Sequence, residues 1–471
     1  MQRCDHLGSS QLMKGDSRMN VEKSDLDRIP PAPGGLPLIG HGVKLMRNPL
    51  ALLSALPEHG PMCRIQLAAD TVVFVSDPDL TSQVLADDKL YDKGGPFYAR
   101  AREIAGDGLG SCPHSKHRRQ RRLCQPAFRS DRLPPYVESM TRSIETTVRG
   151  WHDGQLIDLG VDLSAMTFRI ATDTMFSTSL SDKQIRQFAT DLSTIAHGLF
   201  RRTALPPIIN RLPTPDNRRY DATTRRVRQL AASVIAERRA EQKDRGDLLS
   251  ALLEARDEHD GAQFTDSELI DQVFTFFLGG AETTAGCLTW ALYLLDRNHD
   301  VQQQLHEEVD SVLGGRTATR DDLPSLPLTN RVITETLRLY PPTWMVTRQV
   351  TADTELGDIQ LPAGTKVAIS PYVIHRSDRI YEDPSGFRPD RWMHTNPHHN
   401  RKTYIPFGLG ARGCIGEQFG LIETALALAT ITGRWRLSSP TQRPISMSMT
   451  QVPVPDGVQM RVTTRQVALV D

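Results

Sequence analysis

"FGLGARGCIG", residues 407–416, sets four glycines around one cysteine. Glycine loses more backbone freedom on folding than any other residue, so the run is destabilising unless the missing side chains serve a purpose. The next stretch, "EQFGLIETALALATI" (417–431), has the apolar spacing of a helix. Cys414 therefore stands at the end of a bare loop, just ahead of a helix N-terminus.

The rest of the chain frames that loop. It has 471 residues, enough for two or three average domains or one large enzyme. Lys+Arg and Asp+Glu are both 56, and zero net charge argues against a dedicated nucleic-acid binder. The six cysteines (Cys4, Cys63, Cys112, Cys124, Cys287, Cys414) include no Cys-x-x-Cys pair, which speaks for a reducing cytoplasm and against a disulfide framework. Residues 1–28 are polar and of mixed charge, so they are expected to be disordered, with no signal peptide. No run of about 18 apolar residues offers a membrane span. From residue 29 to 471 there is no repeat and no linker after residue 40, which reads as one domain. "CRIQLA" and "TVVFVSD" predict a β-hairpin, residues 130–345 read mostly as helices, and strand-like pieces return in "TELGDIQLPAGTKVAISPYV". The fold class is mainly α with small β-sheets.

One helix stands out. Thr265-x-x-Glu268 is a capping box. The apolar run behind it meets Gly279-Gly280-Ala281-Glu282-Thr283-Thr284. Each glycine inside a helix costs roughly 1 kcal/mol relative to alanine. Two readings stand. One is a close helix crossing. The other is a groove where a small molecule lies against backbone, with Glu282 and Thr283 as an acid–alcohol pair able to relay protons. In "VITETLRLYPP", Glu335 and Arg338 share a helix face among apolar neighbours. "FRPDRW" adds Arg391, and a carboxylate shared by two arginines would clamp a loop to that helix.

These pieces together resemble the cytochrome P450 haem-thiolate enzymes. Phe407-x-x-Gly410-x-Arg412-x-Cys414-x-Gly416 matches their cysteine loop, and Glu335-x-x-Arg338 with Phe387-x-Pro389-x-Arg391-Trp392 matches their structural triad. Gly279–Thr284 matches their oxygen-binding helix. The resemblance runs from about residue 29 to the C-terminus. It implies haem b with Cys414 as axial thiolate, a long central helix over the haem, and dioxygen held in the groove at Gly280. Backbone N–H groups donating to sulfur, together with the helix dipole, would stabilise the thiolate, and Phe407 would shield it from water. His117 and Arg121 of the basic run 114–128, with Arg348 and Arg412, correspond to propionate contacts. Arg118 and Arg122, on an adjacent face, either receive an acidic redox partner or are simply solvated. The rival reading of the basic run is a nucleic-acid patch.

For the substrate the resemblance points to Phe97, Tyr98, Phe276, Trp344, Met345 and Val346, each of which could equally be core. Their apolar or neutral character implies an apolar, uncharged small molecule. "PLIGHG", "HRRQRR" and "INRLPTPDNRRYDATTRRVRQL" add a looser likeness to bacterial sesquiterpene hydroxylases. The function implied is a soluble, monomeric, cytoplasmic monooxygenase. It would take O2, and electrons from an external ferredoxin and reductase. Oxidative coupling or rearrangement, and a non-catalytic haem sensor or carrier, are the alternatives. His394, His398 and His399 cluster too, but Pro397 breaks any helix that would align them on a metal.

Overall fold

The computed structural model describes residues 25–67, 70–177, 181–205, 207–241, 243–257, 260–396, 400–441, 445–449 and 452–465. The predicted hairpin forms: Met62–Leu67 pairs antiparallel with Asp70–Val75, Met62 opposite Val75. It is one edge of a five-stranded sheet. Lys366–Ile369 lies parallel to Asp70–Val75, then Val346–Val350 runs antiparallel, and the two-residue strand Tyr91–Asp92 closes the other edge. This order brings Asp92 beside Gln349, so the segments carrying Lys93 and Arg348 become neighbours although 255 residues separate them in sequence.

Asp25–Arg28 form a short 3-10 turn docked on this sheet region. Arg28 pairs with Asp358 at 2.8 Å and Arg64 with Asp27 at 2.6 Å. Residues 25–28, part of the stretch expected to be disordered, are thus structured, and residues 1–24 lie outside the described residues.

Helices Leu133–Arg149, Leu159–Met175, Glu282–Arg297 and Glu417–Arg434 pack around one large apolar core. Phe168 stacks on Phe188 with centroids 4.3 Å apart, and Phe176 meets Phe277 at the same distance. Among the described residues no helix is long and apolar enough to cross a membrane.

The central helix differs from the single rod expected. It runs Asp266–Gly280, bends at Ala281 and resumes as Glu282–Arg297. The capping box at its start forms as predicted, with Thr265 Oγ1 accepting from the Glu268 N–H and Glu268 Oε2 accepting from the Thr265 N–H. Three hydroxyls explain the bend. Thr283 donates to the Gly279 carbonyl (2.8 Å), Thr284 to that of Gly280 (3.3 Å), and Thr167 of the Leu159–Met175 helix to that of Ala281 (3.0 Å). Hydroxyls that bond helix carbonyls bend helices, and the glycine pair offers little resistance.

Candidate active site around Cys414

The cysteine loop is tied at both ends. The Cys414 N–H donates to the Phe407 carbonyl at 2.8 Å, and Arg121 Nη1 donates to the Gly413 carbonyl at 2.6 Å. Gly408 and Gly410 have φ of +73° and +71°, the left-handed region that side chains disfavour. A Cβ on Gly410 would also sit 2.6 Å from the Leu85 carbonyl oxygen. Backbone direction and packing on the Pro78–Ala86 helix, rather than approach to sulfur, thus account for these two glycines.

The Gly416 N–H donates to the Cys414 sulfur, as the resemblance implied. Burial pushes the thiol up, while that donor and Arg121 draw it back. Cys63, Cys112, Cys124 and Cys287 are buried, yet Cys414, deep in the fold, has an accessible side chain.

The bent helix opens in the same way. Gly279 is exposed, and a Cβ built on it meets nothing within 4 Å. The groove had been expected at Gly280, but a Cβ there would meet Met175 Cε at 3.1 Å, so Gly280 serves packing against Met175. The open position is Gly279, with Thr283 four residues on along the same face. A Cβ on Gly420 would lie 4.0 Å from Thr284 Oγ1, so the helix that Cys414 leads crosses the bent helix here.

Cations gather at the sheet edge. Arg348 is buried, and its Nη1 donates to its own Thr347 carbonyl (2.9 Å) and lies 3.4 Å from Tyr98 Oη. Lys93, which sequence reasoning missed, donates to the Gly110 carbonyl at 2.6 Å. Burial, then Arg348 and Arg412, lower its ammonium to about 7. Neither cation has a carboxylate within ion-pair distance among the described residues. His117 is buried and its Nδ1 has no hydrogen-bond partner, Asp88 Oδ2 being 3.8 Å away. Burial lowers His117 to about 3, so its ring is neutral.

Arg412, expected on a propionate, is committed elsewhere. It donates to Asp88 (2.8 Å), Asp92 (2.9 Å) and the Cys112 carbonyl (2.9 Å). The basic run is also less free than it reads. Arg122 pairs with Asp257 at 2.9 Å and Arg119 with Glu268 at 2.8 Å. An accessible sulfur, an open helix face and two cations lacking a carboxylate fit a flat, dianionic haem.

The triad assembles fully. Glu335 and Arg338 are both 0% exposed. Arg338 Nη2 and Nε donate to the two Glu335 oxygens at 2.8 and 2.9 Å, and Arg391 Nε donates to Oε1 at 2.9 Å. Trp392 Nε1 and the Arg388 N–H donate to the same carboxylate at 2.9 and 3.0 Å. Two further contacts were not legible in sequence. Arg338 Nη1 donates to the carbonyls of His375 and Pro384. His375 Nε2 accepts the Ile405 N–H at 2.9 Å, which leaves Nδ1 to donate to the Arg338 carbonyl at 3.2 Å. His375 thereby couples the triad to the start of the cysteine loop.

The residues proposed for the substrate wall have different immediate neighbours. Phe276 packs on Phe128 (5.4 Å), Tyr98 lies against Arg348, and Trp344 is buried in an apolar cluster beside Phe200. Phe97, Met345 and Val346 are half-buried. A cavity of about 820 Å³ lies on the other side of the bent helix, lined by Phe168, Leu192, Ala281, Glu282, Ala285 and Val454 among others. Glu282 thus faces this cavity, and burial pushes its carboxyl up to about 8. Of the histidine cluster, His398 and His399 lie outside the described residues.

Residues 30–462 match the cytochrome P450 family model. The chain is a cytochrome P450. It is 42% identical to a pentalenene oxygenase of Streptomyces avermitilis over 92% of this chain and 97% of that one. It is 42% identical to a cyclooctatin synthase and 40% identical to a cyclooctat-9-en-7-ol 5-monooxygenase, both of Streptomyces melanosporofaciens. Each match covers 86% of this chain and 89% of the relative. The crystal structure of a cytochrome P450DA haem domain aligns with a TM-score of 0.83 at 28% identity, over 93% of this chain and 98% of that one. This P450 is therefore a haem-thiolate monooxygenase that uses dioxygen, a redox partner and a small-molecule substrate.

Proposed function

We propose that this P450 hydroxylates an apolar terpenoid, taking electrons one at a time from a separate ferredoxin. The observation that carries the reading is the 40–42% identity, over nearly the full length, to three enzymes whose names specify pentalenene and cyclooctatin chemistry. The haem, when bound, supplies reduction of dioxygen and transfer of one oxygen atom to carbon. Cys414 would hold it from one side, with its charge steadied by the Gly416 N–H. Lys93, Arg348 and His117 would receive the propionates, and Arg121 would keep the loop carbonyl of Gly413 in place. Gly279 leaves room over the haem, and the Thr283 hydroxyl lies at the edge of that room. Glu282 is protonated for much of the range around neutrality, because its carboxyl is raised to about 8, so it can give up a proton there. It lines the cavity beside the helix, next in sequence to Thr283, whose hydroxyl donates to the Gly279 carbonyl at 2.8 Å. The family match takes up residues 30–462, which supports reading residues 29–471 as one catalytic domain. The described cysteines are all free thiols, which supports a cytoplasmic location. We take the enzyme to act as a monomer.

A spectral screen tests the reading. Sesquiterpene or diterpene hydrocarbons should shift the ferric haem to high spin, and turnover with a ferredoxin system should yield an alcohol by mass spectrometry. A shift with fatty acids and none with terpenes would overturn the substrate class.

A further inference from the structure

The segment between helices Gly95–Ala105 and His114–Cys124 lies almost flat on the first half of the bent helix. Gly106 has φ +53°, and a Cβ there would collide with Asp271 Oδ2 at 2.0 Å. A Cβ on Gly108 would strike Thr275 Oγ1 at 2.1 Å, and one on Gly110 would meet Thr275 Cγ2 at 3.1 Å. Thr275 is four residues before Gly279, on one helix face with it and Thr283. The segment is therefore a wall beside the opening at Gly279.

Side chains of the bent helix hold the wall. Asp271 Oδ2 accepts the Asp107 N–H at 3.1 Å, and Gln272 Oε1 accepts the Leu109 N–H at 2.9 Å. A third helix, Pro215–Glu241, reaches the same point. Its Arg228 donates through Nη1 to the Ile104 carbonyl at 2.7 Å and through Nη2 to Asp271 Oδ1 at 2.9 Å. One guanidinium thus ties three elements together at the wall. The Arg228 side chain is 31% exposed and that of Asp271 12%, so the tie sits where water can replace it.

We propose that Arg228 and Asp271 latch this wall and set how fast bulky apolar ligands enter and leave the haem pocket. Parting the Pro215–Glu241 helix from the wall breaks the Arg228–Ile104 bond, and parting it from the bent helix breaks the Arg228–Asp271 pair, whose carboxylate also holds the Asp107 N–H. Hydrogen bonds to charged groups of this kind are strong enough to slow opening about tenfold. Nothing about the latch touches the reacting atoms, so both are positioning residues. The proposal rests on the haem lying against Gly279 and Cys414.

Stopped-flow binding to the haem-loaded protein tests it, with clotrimazole as bulky probe and bare imidazole as small probe. R228Q should speed both association and dissociation of clotrimazole about tenfold while leaving its affinity within about threefold. Imidazole rates should stay unchanged, and R228K should restore slow clotrimazole exchange. Amide hydrogen exchange at residues 104–109 should rise in R228Q and D271N, a readout independent of the haem. Equal acceleration of both probes, or clotrimazole rates and amide exchange both at wild-type values, would overturn the proposal. A wild-type protein showing no azole-induced spectral change would instead count against the haem placement itself.

Discussion

Two buried clusters of charge flank the cysteine loop, and they are finished differently. Around Glu335 every strong donor meets an acceptor within the chain: Arg338, Arg391, Trp392 and the Arg388 N–H share one carboxylate. Around Arg348 the account does not close. Among the described residues Lys93 and Arg348 hold only carbonyls and a tyrosine, and His117 Nδ1 has no hydrogen-bond partner. Buried charge is tolerated only when paired. A closed cluster is therefore architecture, and an open one marks where an anionic ligand completes the fold.

Removing the ligand atom itself should have the largest effect. Cys414→His should abolish monooxygenation, and the reduced carbon-monoxide complex should lose its thiolate-type red-shifted absorbance. Retention of that band would mean that the sulfur lies elsewhere.

The closed cluster should fail next. Glu335→Gln leaves Arg338 buried without its counter-charge, a loss of about 3–5 kcal/mol. Expression should give mostly insoluble, haem-free protein, measured as absorbance ratio and soluble yield. Normal haem content would make the two clusters equivalent and remove the distinction between them.

Thr283→Ala acts on proton supply rather than on folding. Loss of a positioned proton donor costs about 10²–10⁴-fold in a chemical step. NADPH consumption should continue while hydrogen peroxide rises and product per NADPH falls, with Thr283→Ser largely restoring product. Thr284→Ala, at a buried position facing Gly420 on the crossing helix, should change coupling less.

The smallest effect sharpens the open cluster. With its ammonium lowered to about 7, Lys93 in the haem-free protein loses its proton as pH climbs from 7 toward 9. A propionate needs the charged form, so haem binding must restore that proton, and this contribution weakens as pH rises. Lys93→Met lacks the contribution throughout. Haem titrations should show wild type binding about tenfold more tightly near pH 7, with the gap narrowing by pH 9. A gap that is constant or widens with pH would remove Lys93 from the propionate site.

The cysteine loop, the triad and the helix signature were legible because each is a short run whose spacing encodes its geometry. The positions with φ above zero in the loop demand glycine, and three residues on a helix bring Glu335 onto Arg338's face. Other assignments needed the third dimension. Choosing Gly280 over Gly279 failed because adjacent helix residues lie about 100° apart, and only the place of Met175 says which of the two is covered. The partners of Arg412 were likewise illegible, because Asp88 and Asp92 lie more than 300 positions away in sequence. The proposed substrate residues fall on three separate segments, the Gly95–Ala105 helix, the bent helix and residues 344–346, so no period could test whether they form one surface.

The sequence by itself therefore determined the family, the thiolate ligand and the triad, because local spacing places those groups. Only the tertiary structure decided which cations have no carboxylate among the described residues, that Lys93 joins them, that His375 links the triad to the loop, and which of the two glycines Met175 covers. The physical reason is that partnership is settled by long-range competition. A buried cation belongs to whichever carboxylate the fold brings within about 3 Å, and distance along the chain carries no record of that.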